Sequence, residues 1–323
     1  MKKIAVFTSG GDAPGMNACI RAVVRTAIYH NIKVVGINQG YQGMISGDFV
    51  EMHSRSVGNI IQRGGTILRS ARNEEFKTPE GRQRAADRLK KSNVEGVVAI
   101  GGDGTFTGAK IFSEEHDIPF IGVPGTIDND LFGTDFTIGY DTAINTVVEA
   151  VDKIRDTADA HDRLFFIEVM GRDAGFIALR SGIGVGADAI LIPETETYID
   201  KLIDKLQKGW ERQNRSCIII VAEGGDSGGA YEVAKKVKAR FDHYETKVTV
   251  LGHVQRGGSP SAADRLLASR LGMEAVEALL KGRRSEMVGI INKNVAYTSF
   301  AKAIKHNHKI NQDLVNLAEI LSI

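Results

Sequence analysis

Short apolar runs and longer amphipathic patterns alternate along this chain. Runs such as Ile4 to Thr8 and Leu164 to Val169 have the length and composition of buried parallel strands. Between the runs, apolar residues recur at helical spacing, as at Met16, Ile20 and Val23. The alternation predicts an α/β fold with helices on both faces of a sheet. The other apolar runs are 34–37, 97–100, 120–123, 190–192 and 218–222.

Length and composition bound what such a fold can do. A single core usually stops growing at about 250–300 residues, so we expect two domains in a chain of 323 residues. The 41 Lys and Arg residues nearly balance the 40 Asp and Glu residues, which leaves no broad basic field for nucleic acid. Cys19 and Cys217 stand in apolar sequence and are expected to be buried thiols. No run resembles a signal peptide or a membrane span, so we expect a cytoplasmic protein without membrane partners.

Polar and glycine-rich segments follow several of the predicted strands. Ligands of open α/β sheets bind outside the carboxyl ends of the strands. We therefore expect these segments to meet at one sheet edge and to form a site there. The segments are 9–15, 101–105, 124–130 and 170–175.

The segment 101–105 (GGDGT) stands between a strand and a helix pattern. Missing side chains would let a phosphate chain approach backbone N–H groups at the helix N-terminus. An aspartate in such a cradle repels phosphate unless a cation lies between them, which makes Asp103 the candidate Mg²⁺ ligand. A tight strand-to-helix turn is the alternative explanation of these glycines.

The segment 126–130 (TIDND) offers two carboxylates, Asp128 and Asp130. In an extended segment, residues two apart project to the same side. Phosphoryl transfer to a hydroxyl group needs an acceptor for the hydroxyl proton, and Asp128 is the candidate base. An Asx-type turn is the alternative, because Asp and Asn favour turns.

Arginines near the predicted strand ends can supply donors to phosphate, which arginine binds bidentately. Arg163 and Arg172 are such candidates, and any single one could instead be a solvated surface residue. A second group follows a helix pattern at Arg63, Arg69 and Arg72, where it could screen developing negative charge. The glycine spacing at 182–187 fits a loose dinucleotide pattern but follows a helix pattern, so we reject a nicotinamide site.

Five segments together closely resemble the ATP-dependent 6-phosphofructokinases of bacteria, and the similarity runs along nearly the whole chain. The resemblance implies two Rossmann-like three-layer α/β domains with the active site in the cleft between them. It implies transfer of the γ-phosphoryl group of Mg-ATP to the 1-hydroxyl of fructose 6-phosphate, the committed step of glycolysis. The segments are SGGDAPGMN (9–17), GGDGT (101–105), PGTIDND (124–130), MGR (170–172) and LGHVQRGGSP (251–260).

The resemblance also implies domain limits and site residues. The larger, ATP-binding domain would comprise 1–139 and 253–305, and the smaller, fructose 6-phosphate-binding domain 140–252 and 306–323. The implied ATP-binding residues are Gly11, Arg72, Asn73, Gly102, Asp103, Gly104, Thr105 and Gly108, with Asp103 toward Mg²⁺. The implied catalytic residues are Asp128 as base with Thr126, Asp130, Arg172, Arg72 and Gly11. The implied sugar-phosphate residues are Thr126, Ile127, Asp128, Met170, Gly171, Arg172, Glu223, His253, Val254, Gln255 and Arg256, with Arg163 and Lys247 reaching in from a neighbouring subunit.

Members of the resembled family are tetramers with effector sites, so a homotetramer regulated by ADP or GDP and by phosphoenolpyruvate is expected. The family pattern has arginine where Lys247 stands. A lysine keeps the charge but loses the bidentate fork. At the effector site, this chain has Ser54, Asn59 and Asn214 where the family pattern has arginine, aspartate and lysine. The implied effector-site residues, including the departing Asn214, are Arg21, Arg25, Arg155, Gly186, Ala187, Asp188, Arg212, Asn214 and Arg215.

Two glycines bear on the phosphoryl donor. Pyrophosphate-dependent relatives usually carry aspartate in place of Gly104 and lysine in place of Gly125, and a carboxylate at 104 would crowd the nucleotide α-phosphate. ATP is therefore the expected donor. A pyrophosphate donor, a different phosphosugar acceptor and a non-catalytic regulatory subunit are the alternatives. An enzyme is favoured by the retention of Asp103, Asp128, Asp130 and Arg172.

Overall fold

The structure, a computed structural model, describes residues 1–158, 160, 163–196, 198–213, 216–225, 228–304 and 309–322. The chain divides into two compact units. Unit 1 comprises Met1–Ile127, Leu131–Thr142 and Arg256–His308, and unit 2 comprises Asp128–Asp130, Ala143–Gln255 and Lys309–Ile323.

Strands alternate with helices along most of the described chain. The strands are β1 (Lys3–Thr8), β2 (Lys33–Ile37), β3 (Phe49–Met52), β4 (Gly96–Gly101), β5 (Phe120–Pro124), β6 (Arg163–Val169), β7 (Ala189–Leu191), β8 (Cys217–Ala222), β9 (Glu245–Val250), β10 (Glu286–Ile291) and β11 (Asn294–Ser299). The α-helices are α1 (Met16–Tyr29), α2 (Tyr41–Ser46), α3 (Pro79–Lys91), α4 (Asp103–Glu115), α5 (Tyr140–Ala158), α6 (Phe176–Gly184), α7 (Ile199–Glu211), α8 (Gly229–Lys238), α9 (Ala262–Leu280), α10 (Phe300–Ala303) and α11 (Gln312–Leu321).

Unit 1 is built on a seven-stranded sheet within the described residues, in the order β11-β10-β5-β4-β1-β2-β3. Its inner strands are parallel, and the edge strands β3 and β11 pair antiparallel to their neighbours. Apolar side chains such as Phe7, Phe106 and Phe120 are fully buried in its core. The buried stripe of α1 packs against α9, as expected for a helix with one apolar face.

Unit 2 is built on a four-stranded parallel sheet within the described residues, in the order β7-β8-β6-β9. Its inner strands β6 and β8 are buried along most of their length. Helices α7 and α8 contribute apolar side chains such as Leu206 and Val233 to a core with Phe166 and Ile219. Unit 2 therefore has a hydrophobic core of its own.

The strands predicted from the apolar runs are confirmed, with bounds that differ by about one residue at most ends. The buried state of both cysteines is confirmed as well. Sequence reasoning missed β3, β9, β10 and β11. The strand β9 reads ETKVTV, so polar residues interrupt its apolar pattern, and only pairing with β6 makes it a strand. None of the described helices has both the length and the hydropathy that a membrane span needs.

Candidate active site

Three of the glycine-rich segments follow neighbouring strands of the unit 1 sheet. The strands β5, β4 and β1 are adjacent and parallel, and 9–15, 101–105 and 124–130 begin where these strands end. Backbone bonds continue past the strands, from Ser9 N to Ile100 O at 3.0 Å and from Gly125 N to Gly101 O at 3.0 Å. The chain leaves β1 toward β2 on one side and later returns to β4 on the other, which makes the gap between β1 and β4 a topological switch point.

The fourth segment does not share this edge. The segment 170–175 follows β6, which lies in the unit 2 sheet. The expectation of a single sheet edge is therefore wrong, because β6 to β9 form a second sheet before the chain returns to the first one with β10 and β11. Residue periodicity identifies strands but carries no information on which sheet they join.

Helix α4 begins inside the segment 101–105, with Gly102 as its N-cap and Asp103 in its first turn. A Cβ atom built on Gly101 would lie 2.3 Å from Thr105 Oγ1, so packing explains that glycine. A Cβ atom on Gly104 would meet nothing within 4 Å. The glycine at 104 therefore leaves open space at the positive end of a helix dipole, where anions bind.

Thr105 adds a second feature to this helix start. Its Oγ1 atom is buried and finds no hydrogen-bond partner among the described residues. Its carbonyl oxygen accepts a bond of 2.5 Å from the hydroxyl of Tyr41, and burial raises the pKa of that tyrosine strongly. A Cβ atom on Gly108 would lie 3.0 Å from the Tyr41 ring, so packing accounts for Gly108, and its role in nucleotide binding stays a prediction.

The loop after β1 packs against Arg256. A Cβ atom on Gly11 would lie 2.4 Å from Arg256 Nη1, and that nitrogen donates to Asp12 O at 3.4 Å. The glycine at 11 thus makes room for a guanidinium group at the strand edge. Both residues were predicted as site residues, and unit 1 brings them together. The prediction gave them different ligands, the sugar phosphate for Arg256 and the nucleotide for Gly11.

Asn17 holds a further loop in place, a role that sequence reasoning missed. Its side chain is buried in α1 and donates to Arg63 O at 3.0 Å and to Gly64 O at 3.2 Å. Its Oδ1 atom accepts from Ile67 N at 2.8 Å. An amide among the apolar residues of a helix was the available signal, since a buried amide must be hydrogen-bonded.

The predicted ATP-binding pair Arg72 and Asn73 lies beyond this loop. Arg72 is exposed. Asn73 uses its amide locally, because Oδ1 accepts from Phe76 N at 2.6 Å and Nδ2 donates to Gln42. Asn73 thus starts the 3₁₀ turn Glu75–Lys77, and its contact with nucleotide stays a prediction.

The segment 126–130 is not extended. Asn129 has φ 53°, the left-handed region that asparagine tolerates better than most residues. The argument that Asp128 and Asp130 project to the same side of an extended segment is therefore wrong, and the role of Asp128 as base stays a prediction. Thr126 and Asp128 are buried, and Thr126 O accepts from Thr137 Oγ1 at 2.6 Å.

Gly125 has a packing reason of its own. A Cβ atom there would lie 3.0 Å from Ile100 Cγ2 and 3.2 Å from Met16 Cε. Contacts this short require the neighbours to move, so the core favours glycine whatever the donor is. Of the two glycines taken as evidence for ATP, Gly104 is the more informative.

The unit 2 edge is built from the ends of β8, β6 and β9. Glu223 Oε1 accepts from Gly171 N at 3.3 Å and from Arg172 N at 2.8 Å. Gln255 is fully buried, with Oε1 accepting from Met170 N at 3.2 Å and Nε2 donating to Gly252 O at 2.9 Å. Glu223 and Gln255 thus fix the backbone at 170–172, and their direct contact with substrate stays a prediction.

Arg172 itself is held in an unusual conformation. Its φ is 53°, and Gly171 before it has φ 146°. A Cβ atom on Gly224 would lie 1.8 Å from Arg172 O, so only glycine permits this approach. A strained residue fixed from several sides is typical of functional sites. The side chain of Arg172 is exposed, as are His253 and Val254 on the turn after β9.

Arg163 lies at the opposite end of the unit 2 sheet, and Lys247 lies near it on β9. Arg163 begins β6, and β6 separates it from Met170 by about 23 Å at the usual rise of a parallel strand. Arg163 Nε lies 2.8 Å from Glu245 Oε2, and Lys247 Nζ lies 2.6 Å from Glu245 Oε1. These two bonds lower the pKa of Glu245 to about 2, and the Lys247 bond has the larger effect.

The predicted effector residues fall in both units. In unit 1, Arg21 and Arg25 are one turn apart on α1. The pKa of Arg21 is lowered mainly by burial and to a smaller extent by repulsion from Arg25. In unit 2, Arg155 Nη2 donates to Val185 O and Gly186 O. A cavity of about 420 Å³ is lined in part by Gly186, Ala187, Asp188, Lys205 and Arg212. Asn214 and Arg215 lie outside the described residues.

The unit 1 edge suits a magnesium ion that shares its ligands with substrate phosphates, and not one that protein side chains enclose by themselves. No group of three or more His, Cys, Asp or Glu side chains is gathered as a metal site in the described parts of the chain. Magnesium needs only one or two carboxylates when substrate phosphates supply further ligands. Asp103 in the first turn of α4 provides one such carboxylate.

Comparison with known proteins shows which family the chain resembles along its length. The family model described as Phosphofructokinase matches residues 3–279. The ATP-dependent 6-phosphofructokinase of Cytophaga hutchinsonii is 59% identical over all of this chain and 98% of its own length. The ATP-dependent 6-phosphofructokinase 1 of Thermus thermophilus is 54% identical over the full length of both chains.

Solved structures give the same fold. The phosphofructokinase of Saccharomyces cerevisiae matches all of this chain with a TM-score of 0.88 and 37% identity, and this chain spans 47% of the yeast chain. The pyrophosphate-dependent phosphofructokinase of Marinobacter aquaeolei matches 99% of this chain and 91% of its own, with a TM-score of 0.85 and 24% identity. The expected phosphofructokinase fold is confirmed. The chain belongs to the phosphofructokinase family.

Proposed function

We propose that this protein is an ATP-dependent 6-phosphofructokinase. It transfers the γ-phosphoryl group of ATP to the 1-hydroxyl of fructose 6-phosphate and gives fructose 1,6-bisphosphate and ADP. The observation that carries the choice of donor is the open space at Gly104, in the first turn of α4. Full-length identity of 59% and 54% to bacterial proteins of that name supports the same activity.

Unit 1 binds the donor in this proposal. Backbone N–H groups at the start of α4 and the glycines at 11, 102 and 104 receive the phosphate chain. Arg72 and Asn73 add contacts to the nucleotide. Asp103 would hold Mg²⁺, which would neutralise charge on the transferred phosphoryl group when the ion is bound with the nucleotide.

The acceptor is bound by the unit 2 edge. Arg172 grips anionic oxygens through its exposed guanidinium, and Glu223 keeps its backbone in the productive conformation. Asp128 accepts the proton of the sugar 1-hydroxyl as the oxygen attacks phosphorus. Thr126 and Asp130 flank this base in sequence and orient the reacting groups.

The protein acts as a homotetramer in this proposal, with Arg163 and Lys247 binding the sugar phosphate of a neighbouring subunit. The distance of Arg163 from Met170 along β6 supports this role, because both residues cannot serve one phosphate within a single chain. The cavity at Asp188 and Arg212 supports an effector site for ADP, GDP or phosphoenolpyruvate.

The test is to compare phosphorylation of fructose 6-phosphate by ATP with Mg²⁺ and by pyrophosphate with Mg²⁺. Turnover with ATP alone supports the proposal. Turnover with pyrophosphate alone overturns the assignment of ATP as donor, and with it the inference drawn from the open space at Gly104. Absence of turnover with either donor, in a protein that still binds ATP, indicates a non-catalytic subunit or another acceptor.

A further inference from the structure

Glu245 occupies an unusual place on the unit 2 surface. It begins β9 directly opposite Arg163 in the strand register, and Lys247 follows two residues later on the same face. Its two carboxylate oxygens are divided between the two cations, at 2.8 Å to Arg163 Nε and 2.6 Å to Lys247 Nζ. One carboxylate therefore engages both side chains that are proposed to bind a sugar phosphate.

The other proposed phosphate ligands are not neutralised in this way. Within the described residues, Arg72, Arg172 and Arg256 form no ion pair with a carboxylate. The cluster of Arg163, Lys247 and Glu245 carries a net charge of one positive instead of two. An incoming phosphate dianion must therefore either displace this carboxylate or bind beside it.

Folding alone does not account for Glu245. Its side chain is 53% exposed, and those of Arg163 and Lys247 are 21% and 42% exposed. Ion pairs between exposed side chains add little to stability. The carboxylate remains ionised under any ordinary assay condition, since the two cations lower its pKa to about 2.

We propose that Glu245 is an affinity-setting residue for the acceptor, an internal anion that pairs with Arg163 and Lys247 and competes with the phosphate of fructose 6-phosphate for them. This inference rests on the proposed function, in which these two cations bind a neighbour's substrate. Glu245 does not touch the transferred phosphoryl group, so it acts on acceptor binding and leaves the chemical step unchanged.

The test is the isosteric variant Glu245→Gln. Removing one negative charge beside a phosphate dianion is expected to lower the fructose 6-phosphate concentration at half saturation by about three- to tenfold. The maximal rate and the half-saturating ATP concentration stay unchanged. Glu149→Gln is the matched control, because Glu149 is an exposed glutamate paired with Lys153 outside every proposed site, and it is expected to have no effect.

A double-mutant cycle separates competition from a purely structural role. On an Arg163→Ala background, Glu245→Gln is expected to change half saturation much less than on the wild type, because the two residues interact directly. Full additivity contradicts the proposal. Unchanged or weaker acceptor saturation in Glu245→Gln alone overturns it too, since it would make Glu245 a scaffold that the cations need.

Calorimetric titration keeps this test separate from the proposed function. Fructose 6-phosphate, titrated without ATP, is expected to bind Glu245→Gln more tightly than the wild type. If the wild type neither binds nor phosphorylates this sugar, the proposed function fails. Inorganic phosphate is then the probe, and equal binding to both proteins overturns the role of Glu245.

Discussion

The two units prepare their candidate binding edges by different means. At the unit 1 edge, Gly104 has no side chain, so the N-terminus of α4 faces open space, and Gly11 makes room for the guanidinium group of Arg256. At the unit 2 edge, the side chains of Glu223 and Gln255 accept hydrogen bonds from backbone N–H groups, which fixes the conformation of Arg172. A long polyphosphate chain suits a backbone cradle, whereas a compact sugar phosphate suits a few fixed side chains.

The largest effect is expected at Asp128, the proposed base, because in our proposal it acts in the chemical step. Replacing Asp128 by serine is expected to lower the maximal rate by about 10²–10⁴-fold, because the 1-hydroxyl loses its proton acceptor. Half-saturating concentrations of ATP and fructose 6-phosphate should change little. Steady-state kinetics measure both. A variant with near-normal maximal rate would remove Asp128 as the base.

The next effect tests the backbone cradle of unit 1. Gly104→Asp is expected to raise the half-saturating ATP concentration by about tenfold or more, because a carboxylate would face the phosphates. Its thermal unfolding midpoint should stay near that of the wild type, since the added atoms enter open space.

Gly101→Ala is the matched comparison within the same segment. Its Cβ atom would lie 2.3 Å from Thr105 Oγ1, so this variant is expected to lose stability. Saturation curves for ATP and thermal scans measure the two variants. Unchanged ATP saturation in Gly104→Asp would show that nothing binds at this helix start.

A smaller effect tests the fixed backbone of unit 2. Glu223→Ala removes the acceptor from Gly171 N and Arg172 N, and is expected to raise half-saturating fructose 6-phosphate by about tenfold without altering ATP saturation. Glu232→Ala, at a glutamate in the first turn of α8, is the control. Equal changes in both saturation curves would contradict a division of labour between the two edges.

The smallest effect separates a structural carboxylate from an affinity-setting one. Arg82 in unit 1 is largely buried and binds Glu115 through two bonds of 2.5 and 2.6 Å, and these bonds lower the pKa of Glu115. A lowered carboxyl pKa contributes stability above the unfolded pKa of about 4.3, and that contribution is lost as the pH falls through the folded pKa.

Glu115→Gln is therefore expected to lower the free energy of unfolding by about 1 kcal/mol near pH 7, with the difference from the wild type disappearing in acid. Glu245→Gln should change stability less, because its ion pairs are more exposed. Denaturant titrations at several pH values measure both variants. A larger stability loss in Glu245→Gln would reverse the assigned roles.

Much of the fold followed from local pattern. The runs that became β1, β4, β6 and β8 are mostly apolar, and burial on both faces gives such strands a signal in the sequence. The glycine-rich segments were recognisable for the same reason, because each lies directly after such a strand. Strand β9 left no comparable signal, since polar residues interrupt its valines and none of its residues is fully buried.

The sequence by itself determined the α/β class, the family, and the candidate residues from Gly11 to Arg256, because all of these depend on residue type and short-range spacing. Only the tertiary structure decided that the polar segments divide between two sheets, that Asn17 and Gln255 hold backbone, and that Glu245 takes both Arg163 and Lys247. These outcomes depend on which distant residues meet. Long-range pairing is set by the sum of many weak contacts, and a single stretch of sequence does not contain it.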